Sequence, residues 1–327
     1  MLICRTPYRL SFYGGGLDYP EWYNNNDTSV LTAALGYYCY QTVRELPPFF
    51  SHKYRAAYSA IELTNSVDEI KHPSVRECIR TYAGDLNIEI THIGDLPARS
   101  GIGSSSAFTV GLIKSLLALQ GRYISGAALA TAAINLEQSV MKEVVGFQDQ
   151  CASALGGVVL VKAGKEGVNP RRFIARKEYL DYICENLLLG FNGSPRFSGT
   201  FASKTVQSLS NGQKLPLLLD LSAYTKAGIK LFVDEADVSM HAEITRKCRD
   251  IKLRLNGDIK NNNLMDLLTT TEKAGSLCTR VLGAGGGGFI LCWAPKHRHI
   301  EIKKSVCIKT WVDVCLSSTG SEMVFSE

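Results

Sequence analysis

The stretch Pro97-Ala98-Arg99-Ser100-Gly101-Ile102-Gly103-Ser104-Ser105-Ser106-Ala107 carries the densest chemistry in the chain. Two glycines permit close backbone approach, and small hydroxyl residues follow them. From Ser104 to Gln120 the apolar positions Phe108, Leu112, Leu116 and Leu117 recur mostly four apart, which predicts an amphipathic helix opening at the serines. The first amides of a helix lack internal partners and its dipole is positive there, so such a turn favours phosphate. A serine hydroxyl in that place also suits Mg²⁺ beside bridging phosphate oxygens. No G-x-x-x-x-G-K-S/T run occurs, and taken alone the segment reads equally well as a plain helix cap after two glycines.

Working outward, 88–93 alternates apolar and polar as a half-buried strand does, and 68–83 reads as a helix. Residues 2–13 and 28–45 read as strands flanking a loop that holds Gly14, Gly15, Gly16 and Asp18. Downstream come a helix over 125–145 and a strand at 158–161. The charged segment 164–178, with Gly164, Gly167 and Pro170, reads as a domain joint and puts the boundary near 170. The second half shows a strand at 187–191, helices near 199–210, 216–235, 238–255 and 262–274, and strands around a glycine run. Strands and helices alternate without a repeated βα unit, which favours an α+β fold over a doubly wound sheet.

Two acids lie within reach of the serine loop. Glu137 sits inside an apolar helix between Ile134 and Val140, and Asp149 follows in the loop Gly146-Phe147-Gln148-Asp149-Gln150. Phosphoryl transfer needs one carboxylate for a metal and another near the attacking hydroxyl, and Glu137 suits the first role and Asp149 the second. The bland alternative is a solvated helix residue and a turn aspartate. Near the N-terminus, Arg9 could stabilise phosphoryl oxygens, and Asp18 beside Gly15 and Gly16 could accept sugar hydroxyls; a glycine turn with a surface ion pair is the alternative.

The run Arg280-Val281-Leu282-Gly283-Ala284-Gly285-Gly286-Gly287-Gly288-Phe289 formally contains G-x-G-x-x-G. A strand-like segment, Phe289-Ile290-Leu291-Cys292-Trp293, follows it where a dinucleotide fold needs a helix, and only about forty residues remain. A glycine loop between strands instead lets backbone pack against another phosphate loop or a substrate.

With 327 residues, 45% hydrophobic and 20% charged, the chain suits two ordinary soluble domains. No apolar run reaches membrane-spanning length and no signal-peptide pattern opens the chain, so a cytoplasmic location is expected. The ten cysteines form no C-x-x-C pair or zinc spacing and read as reduced core residues. A net charge of +5 without a basic tract argues against nucleic acid and suits an anionic small substrate. The cluster Arg246-Lys247-Cys248-Arg249 with Lys252 and Arg254 reads as a solvated helix face.

Together, and in this order, Arg5 to Asp18, Pro97 to Ala107 and Leu282 to Phe289 resemble the three motifs of the GHMP kinases. The resemblance spans essentially the whole chain. It implies an α+β two-lobe fold: an N-terminal ATP-binding lobe over 1–170 with a left-handed βαβ crossover, and a ferredoxin-like C-terminal lobe over 171–327. It implies ATP and Mg²⁺ as cofactors, with Pro97, Ser100, Gly101, Gly103, Ser104, Ser105 and Ser106 around the nucleotide phosphates, Ser105 and Glu137 on the metal, and Asp149 as catalytic carboxylate assisted by Arg9. Family members are often dimers, so a homodimer is expected, with no nucleic-acid or membrane partner.

Within the family, Tyr8-Arg9-Leu10-Ser11-Phe12, Gly14 to Pro20 and Gly146 to Gln150 look most like the D-glycero-D-manno-heptose 7-phosphate kinases. That likeness implies phosphorylation of an anomeric hydroxyl to give the 1,7-bisphosphate for nucleotide-activated heptose. Gly15, Gly16, Asp18, Gly285 and Gly286 would line the acceptor site, and Arg196, Lys204 and Lys247 are candidates for its phosphate. Departures touch the acceptor: Cys278-Thr279-Arg280 stands where a glycine pair and lysine are expected, Leu17 precedes Asp18, and Ile102 replaces leucine. Rival readings are a fucose or hexose kinase, a mevalonate-type decarboxylase, and a non-catalytic sugar and ATP sensor. Against the sensor, a binding module has no need of Ser105, Glu137 and Asp149 together.

Overall fold

A computed structural model describes residues 1–193, 206, 207, 209, 212–255, 262–283 and 288–326. The first lobe is built on β1 (Leu2–Tyr13) and the long β2 (Thr28–Glu45), with the short helix α1 (Pro20–Tyr23) between them. Around these stand β3 (Tyr54–Ala57), β4 (Ile61–Thr64), β5 (Ile88–Gly94), β6 (Val158–Gly164) and β7 (Gly167–Arg172). The described strands run β12-β1-β2-β5-β3-β4, where β12 (Glu322–Ser326) is the last strand of the chain. The first half of β2 also pairs with β6 and its second half with β5, so one strand frames both edges of the lobe.

Helices α2 (Pro73–Tyr82), α3 (Ser104–Leu119), α4 (Gly126–Asn135) and α5 (Gln148–Leu155) cover this sheet. The amphipathic helix expected at 104–120 forms, but α3 is buried on nearly every side from Ser106 to Leu117, because sheet and neighbouring helices enclose it. The helix expected over 68–83 is interrupted. A single turn covers Val67–Glu69, and α2 starts only at Pro73, whose ring disfavours helical geometry in the residue before it. Over 125–145, α4 gives way to a π-helical turn, Leu136–Val140.

The segment expected as a joint contributes β7. Gly164 and Gly167 frame a tight turn, and Pro170 is tolerated because β7 pairs on one side only, with β6. The chain leaves the first sheet after Arg172 and enters α6 (Lys177–Glu185). The second lobe follows with β8 (Leu187–Phe191), α7 (Leu215–Val233), α8 (Val238–Leu255), α9 (Asn262–Lys273), β9 (Cys278–Val281), β10 (Phe289–Trp293), α10 (His299–Ser305) and β11 (Thr310–Asp313). Its strands are antiparallel in the order β11-β8-β10-β9, the ferredoxin-like arrangement. The helix expected at 199–210 falls largely outside the described residues.

The lobes meet where β1 ends. Phe12 packs on Phe232 with ring centroids 4.8 Å apart. His241 of α8, fully buried, bridges the hydroxyls of Tyr13 at 2.8 Å and Tyr179 at 2.7 Å and stacks on Trp293. This contact fixes the start of α8 against the loop that follows Tyr13. No helix among the described residues is long and apolar enough to cross a membrane.

Candidate active site

The pairing of β1 with β2 shifts register between Pro7 and Arg9 and again between Ser11 and Tyr13, as strands do beside functional sites. Around the first shift the backbone amide of Arg9 donates to the carbonyl of Ile102 at 3.0 Å. The guanidinium donates through Nη1 to the Gly101 carbonyl at 2.6 Å, through Nε to Asp149 Oδ1 at 2.5 Å and through Nη2 to Asp149 Oδ2 at 3.2 Å. Arg9 is 4% exposed, whereas Asp149, in the first turn of α5, keeps 23% of its side chain open to the cavity. A charge-assisted fork of this kind holds both side chains in one orientation.

The serine loop closes over this pair. Gly101 and Gly103 take positive φ angles of 85° and 71°, and a Cβ at Gly103 would lie 2.9 Å from Arg9 Cγ and 3.0 Å from Asp149 Oδ2. Only glycine combines that backbone with that proximity. Ser104, Ser105 and Ser106 line the cavity at the start of α3. Ser100 is buried and shapes the loop: its hydroxyl donates to the Pro97 carbonyl at 2.6 Å, and its own carbonyl accepts from Phe289 N at 2.9 Å. Pro97 is exposed at the loop's shoulder. The described ends of the glycine run, Gly283 and Gly288, lie against Gly101 and Ser100; Gly285 and Gly286 are outside the described residues.

Glu137 sits fully buried behind the serines, in the π-helical turn, a local geometry common at functional sites. Its Oε2 accepts from Ser106 Oγ at 2.9 Å and Gln150 Nε2 at 2.5 Å, while Oε1 is buried without a partner. Burial pushes its carboxyl up to about 7, against the hydrogen bonds that favour the ionised form. The hydroxyl bonded to Glu137 belongs to Ser106; Ser105 is exposed at the cavity wall. A hard cation such as Mg²⁺ takes oxygen ligands, usually one or two carboxylates plus phosphate oxygens. The orphaned Oε1 next to serine hydroxyls suits that donor set. Among the described residues no group of three or more His, Cys, Asp or Glu forms a protein-only metal cage.

Asp18 is buried at the opposite wall, its Oδ1 accepting from Gly16 N at 2.7 Å. Burial, then the charge of Asp149, raises its pKa. Its carboxylate fills the space in front of Gly146, where no side chain fits.

Facing the glycine loop are two cations the sequence reading passed over as ligands. Lys252 and Arg280 both line the cavity. A Cβ placed at Gly15 would stand 3.5 Å from Lys252 Nζ. Burial, reinforced by Arg280, pushes the Lys252 ammonium down to about 8, and burial likewise lowers the pKa of Arg280. The basic cluster of α8 is therefore divided. Lys247 and Arg254 are exposed, Arg249 is tied to Glu272, and Lys252 enters the cavity. A signal was available, since Thr245, Cys248 and Lys252 follow a helical three-four spacing on the face that also buries Ile251 and Leu255. Lys247 is absent from the cavity lining, and Arg196 and Lys204 lie outside the described residues.

Residues 70–157 match the family described as the GHMP kinases N terminal domain. The chain is 24% identical over 271 residues to a mevalonate kinase of Thermococcus onnurineus, covering 80% of this chain and 73% of that protein. It is 22% identical over 318 residues to the D-glycero-alpha-D-manno-heptose 7-phosphate kinase of Campylobacter jejuni, covering 92% of each. Its fold matches the crystal structure of a D-glycero-D-manno-heptose 1-phosphate kinase from Bacteriodes thetaiotaomicron with a TM-score of 0.78 at 18% identity, over the whole of both chains.

Proposed function

From the premise that this chain is a kinase of the GHMP type, we propose that it transfers the terminal phosphoryl group of ATP to a phosphorylated sugar. The acceptor that fits best is D-glycero-α-D-manno-heptose 7-phosphate, taken at its anomeric hydroxyl to give the 1,7-bisphosphate. The observation that carries this reading is the Arg9–Asp149 fork set directly beneath the serine loop, with a 2.5 Å contact between Arg9 Nε and Asp149 Oδ1. A carboxylate held by an arginine and open on its other side to a cavity is placed to receive or orient a hydroxyl proton.

In this mechanism the amides and hydroxyls of Gly101, Gly103, Ser104, Ser105 and Ser106 hold the nucleotide phosphates at the positive end of α3. Glu137, with Ser105 and Ser106, would hold Mg²⁺, which when bound neutralises charge on the transferring phosphoryl group. Asp149 accepts the acceptor hydroxyl's proton, and Arg9 keeps that carboxylate aimed while its positive charge favours the developing anion. Asp18, steadied by Gly16 N, is placed to accept hydroxyls of the sugar. The 22% identity over nearly the full length of the Campylobacter jejuni enzyme supports the heptose acceptor, and the lobes 1–170 and 171–327 divide nucleotide from acceptor binding. The enzyme works in the cytoplasm, with Mg·ATP and the sugar phosphate as its partners.

The likeness to mevalonate kinases carries the second reading, in which the acceptor ends in a carboxylate. Coupled ADP release with Mg·ATP tests both, against free hexoses, fucose, hexose 6-phosphates, heptose 7-phosphate and mevalonate. Turnover confined to heptose 7-phosphate supports the proposal. Turnover on free sugars or mevalonate keeps the kinase and removes the sugar-phosphate acceptor.

A further inference from the structure

Five cationic side chains line the cavity between the lobes, against two carboxylates, Asp18 and Asp149. Asp149 is committed to Arg9, and Arg249 is paired with Glu272 and Asp250. Lys252 and Arg280 are different. Among the described residues neither forms an ion pair, and Lys252 Nζ has no hydrogen-bond partner. Arg280 donates through Nη2 to the Ser11 carbonyl, while its Nε is buried with no partner at all. Leaving buried cationic donors without acceptors is costly, and a protein that keeps two of them side by side in a cavity provides for an anion that arrives from outside.

We propose that Lys252 and Arg280 form the subsite for the acceptor's own phosphate, and so make these two residues the determinants that select a phosphorylated sugar over a free one. The proposal rests on the kinase reading above and supplies its acceptor class.

The geometry is consistent with that role. Gly15 stands between the two halves of the cavity: a Cβ there would lie 3.2 Å from Gln148 Nε2, next to Asp149, and 3.5 Å from Lys252 Nζ. A sugar laid over the glycine loop therefore meets Asp149 with one end and the cations with the other. An arginine fork beside a lysine point charge matches a tetrahedral dianion better than a carboxylate, because it satisfies several oxygens at once. Asp18 faces Lys252 across the loop and keeps the ammonium from being an isolated charge; Tyr13, Cys248 and Arg9 are the other titratable groups beside the pair. A bound dianion would stabilise the charged form of Lys252, reversing the effect of burial.

The test is titration calorimetry of the intact protein with D-glycero-α-D-manno-heptose 7-phosphate and with the same heptose lacking the phosphate. Measurements cover the wild type and the variants Lys252→Met, Arg280→Met and Arg280→Lys. Each methionine variant should weaken binding of the phosphorylated sugar by about 10- to 100-fold, the worth of a charge-assisted contact, and leave binding of the free sugar within about threefold. Arg280→Lys should recover part of the loss. In turnover, KM for the acceptor should rise by the same factor while KM for ATP stays put. Equal losses for both sugars, or unchanged binding of the phosphorylated one, would overturn the subsite, as would Lys252-dependent binding of mevalonate in preference to the sugar phosphate. Because binding is read without turnover, Lys252-dependent binding with no ADP release would instead refute the reaction and leave the subsite standing.

Discussion

Arg9 and Asp149 form a two-point fork, Nε to Oδ1 at 2.5 Å and Nη2 to Oδ2 at 3.2 Å, that joins the first strand of the protein to a helix 140 positions further along the chain. Around it the serine loop, the glycine turn after Tyr13 and the cavity face of α8 converge. If Asp149 handles the acceptor's proton, Asp149→Asn should lower kcat by about 10²- to 10⁴-fold. ATP binding, followed by nucleotide fluorescence, should stay near wild type. Near-normal turnover would remove Asp149 from the mechanism.

Arg9→Lys tests the fork itself. Lysine keeps the charge but cannot span both carboxylate oxygens and the Gly101 carbonyl together. A kcat loss of about 10- to 100-fold is expected, with melting temperature little changed. A loss confined to KM for ATP would mean that Arg9 serves the nucleotide alone.

Glu137→Gln preserves shape and its bond to Ser106 while deleting the buried charge. The Mg²⁺ concentration for half-maximal turnover should rise at least about tenfold, because the orphaned Oε1 can no longer act as an anionic ligand. Melting temperature without metal should hold or rise, since burial penalises the carboxylate. An unchanged Mg²⁺ dependence would make Glu137 purely structural.

His241 governs acid stability at the lobe junction. Burial pushes its pKa down to about 4, below the roughly 6.5 of an unfolded histidine. Between those values the unfolded chain binds the extra proton, so stability is present above pH 6.5 and is lost as pH falls toward 4. His241→Phe should melt lower than wild type at pH 7.5, because the Tyr13 and Tyr179 hydroxyls lose their partner. Its decline from pH 6.5 to 4 should be shallower. Melting curves that stay parallel over that range would contradict the assignment.

Much of this site could be read in the sequence because it depends on local chemistry. Gly101, Gly103 and the serines announce a phosphate turn by composition, and the strands and helices at 2–13, 28–45, 104–120 and 238–255 follow from apolar spacing, matching the observed elements closely. What escaped depends on tertiary contact. The π-helical turn holding Glu137 continues a helical pattern until Met141 N reaches the Leu136 carbonyl, which no periodicity reveals. The 164–178 segment reads as a joint from its glycines and proline, yet pairing with β6 makes part of it an edge strand. Lys252 looks like its solvated neighbours Lys247 and Arg254 until the packing of α8 fixes which face turns inward.

The most direct test of the central claim is ³¹P NMR of the protein incubated with Mg·ATP and D-glycero-α-D-manno-heptose 7-phosphate. The account predicts ADP together with a new phosphate resonance coupled to the anomeric proton, the heptose 7-phosphate signal being retained in the product. ATP and sugar phosphate left unchanged, or phosphate delivered to a hydroxyl other than the anomeric one, would contradict it.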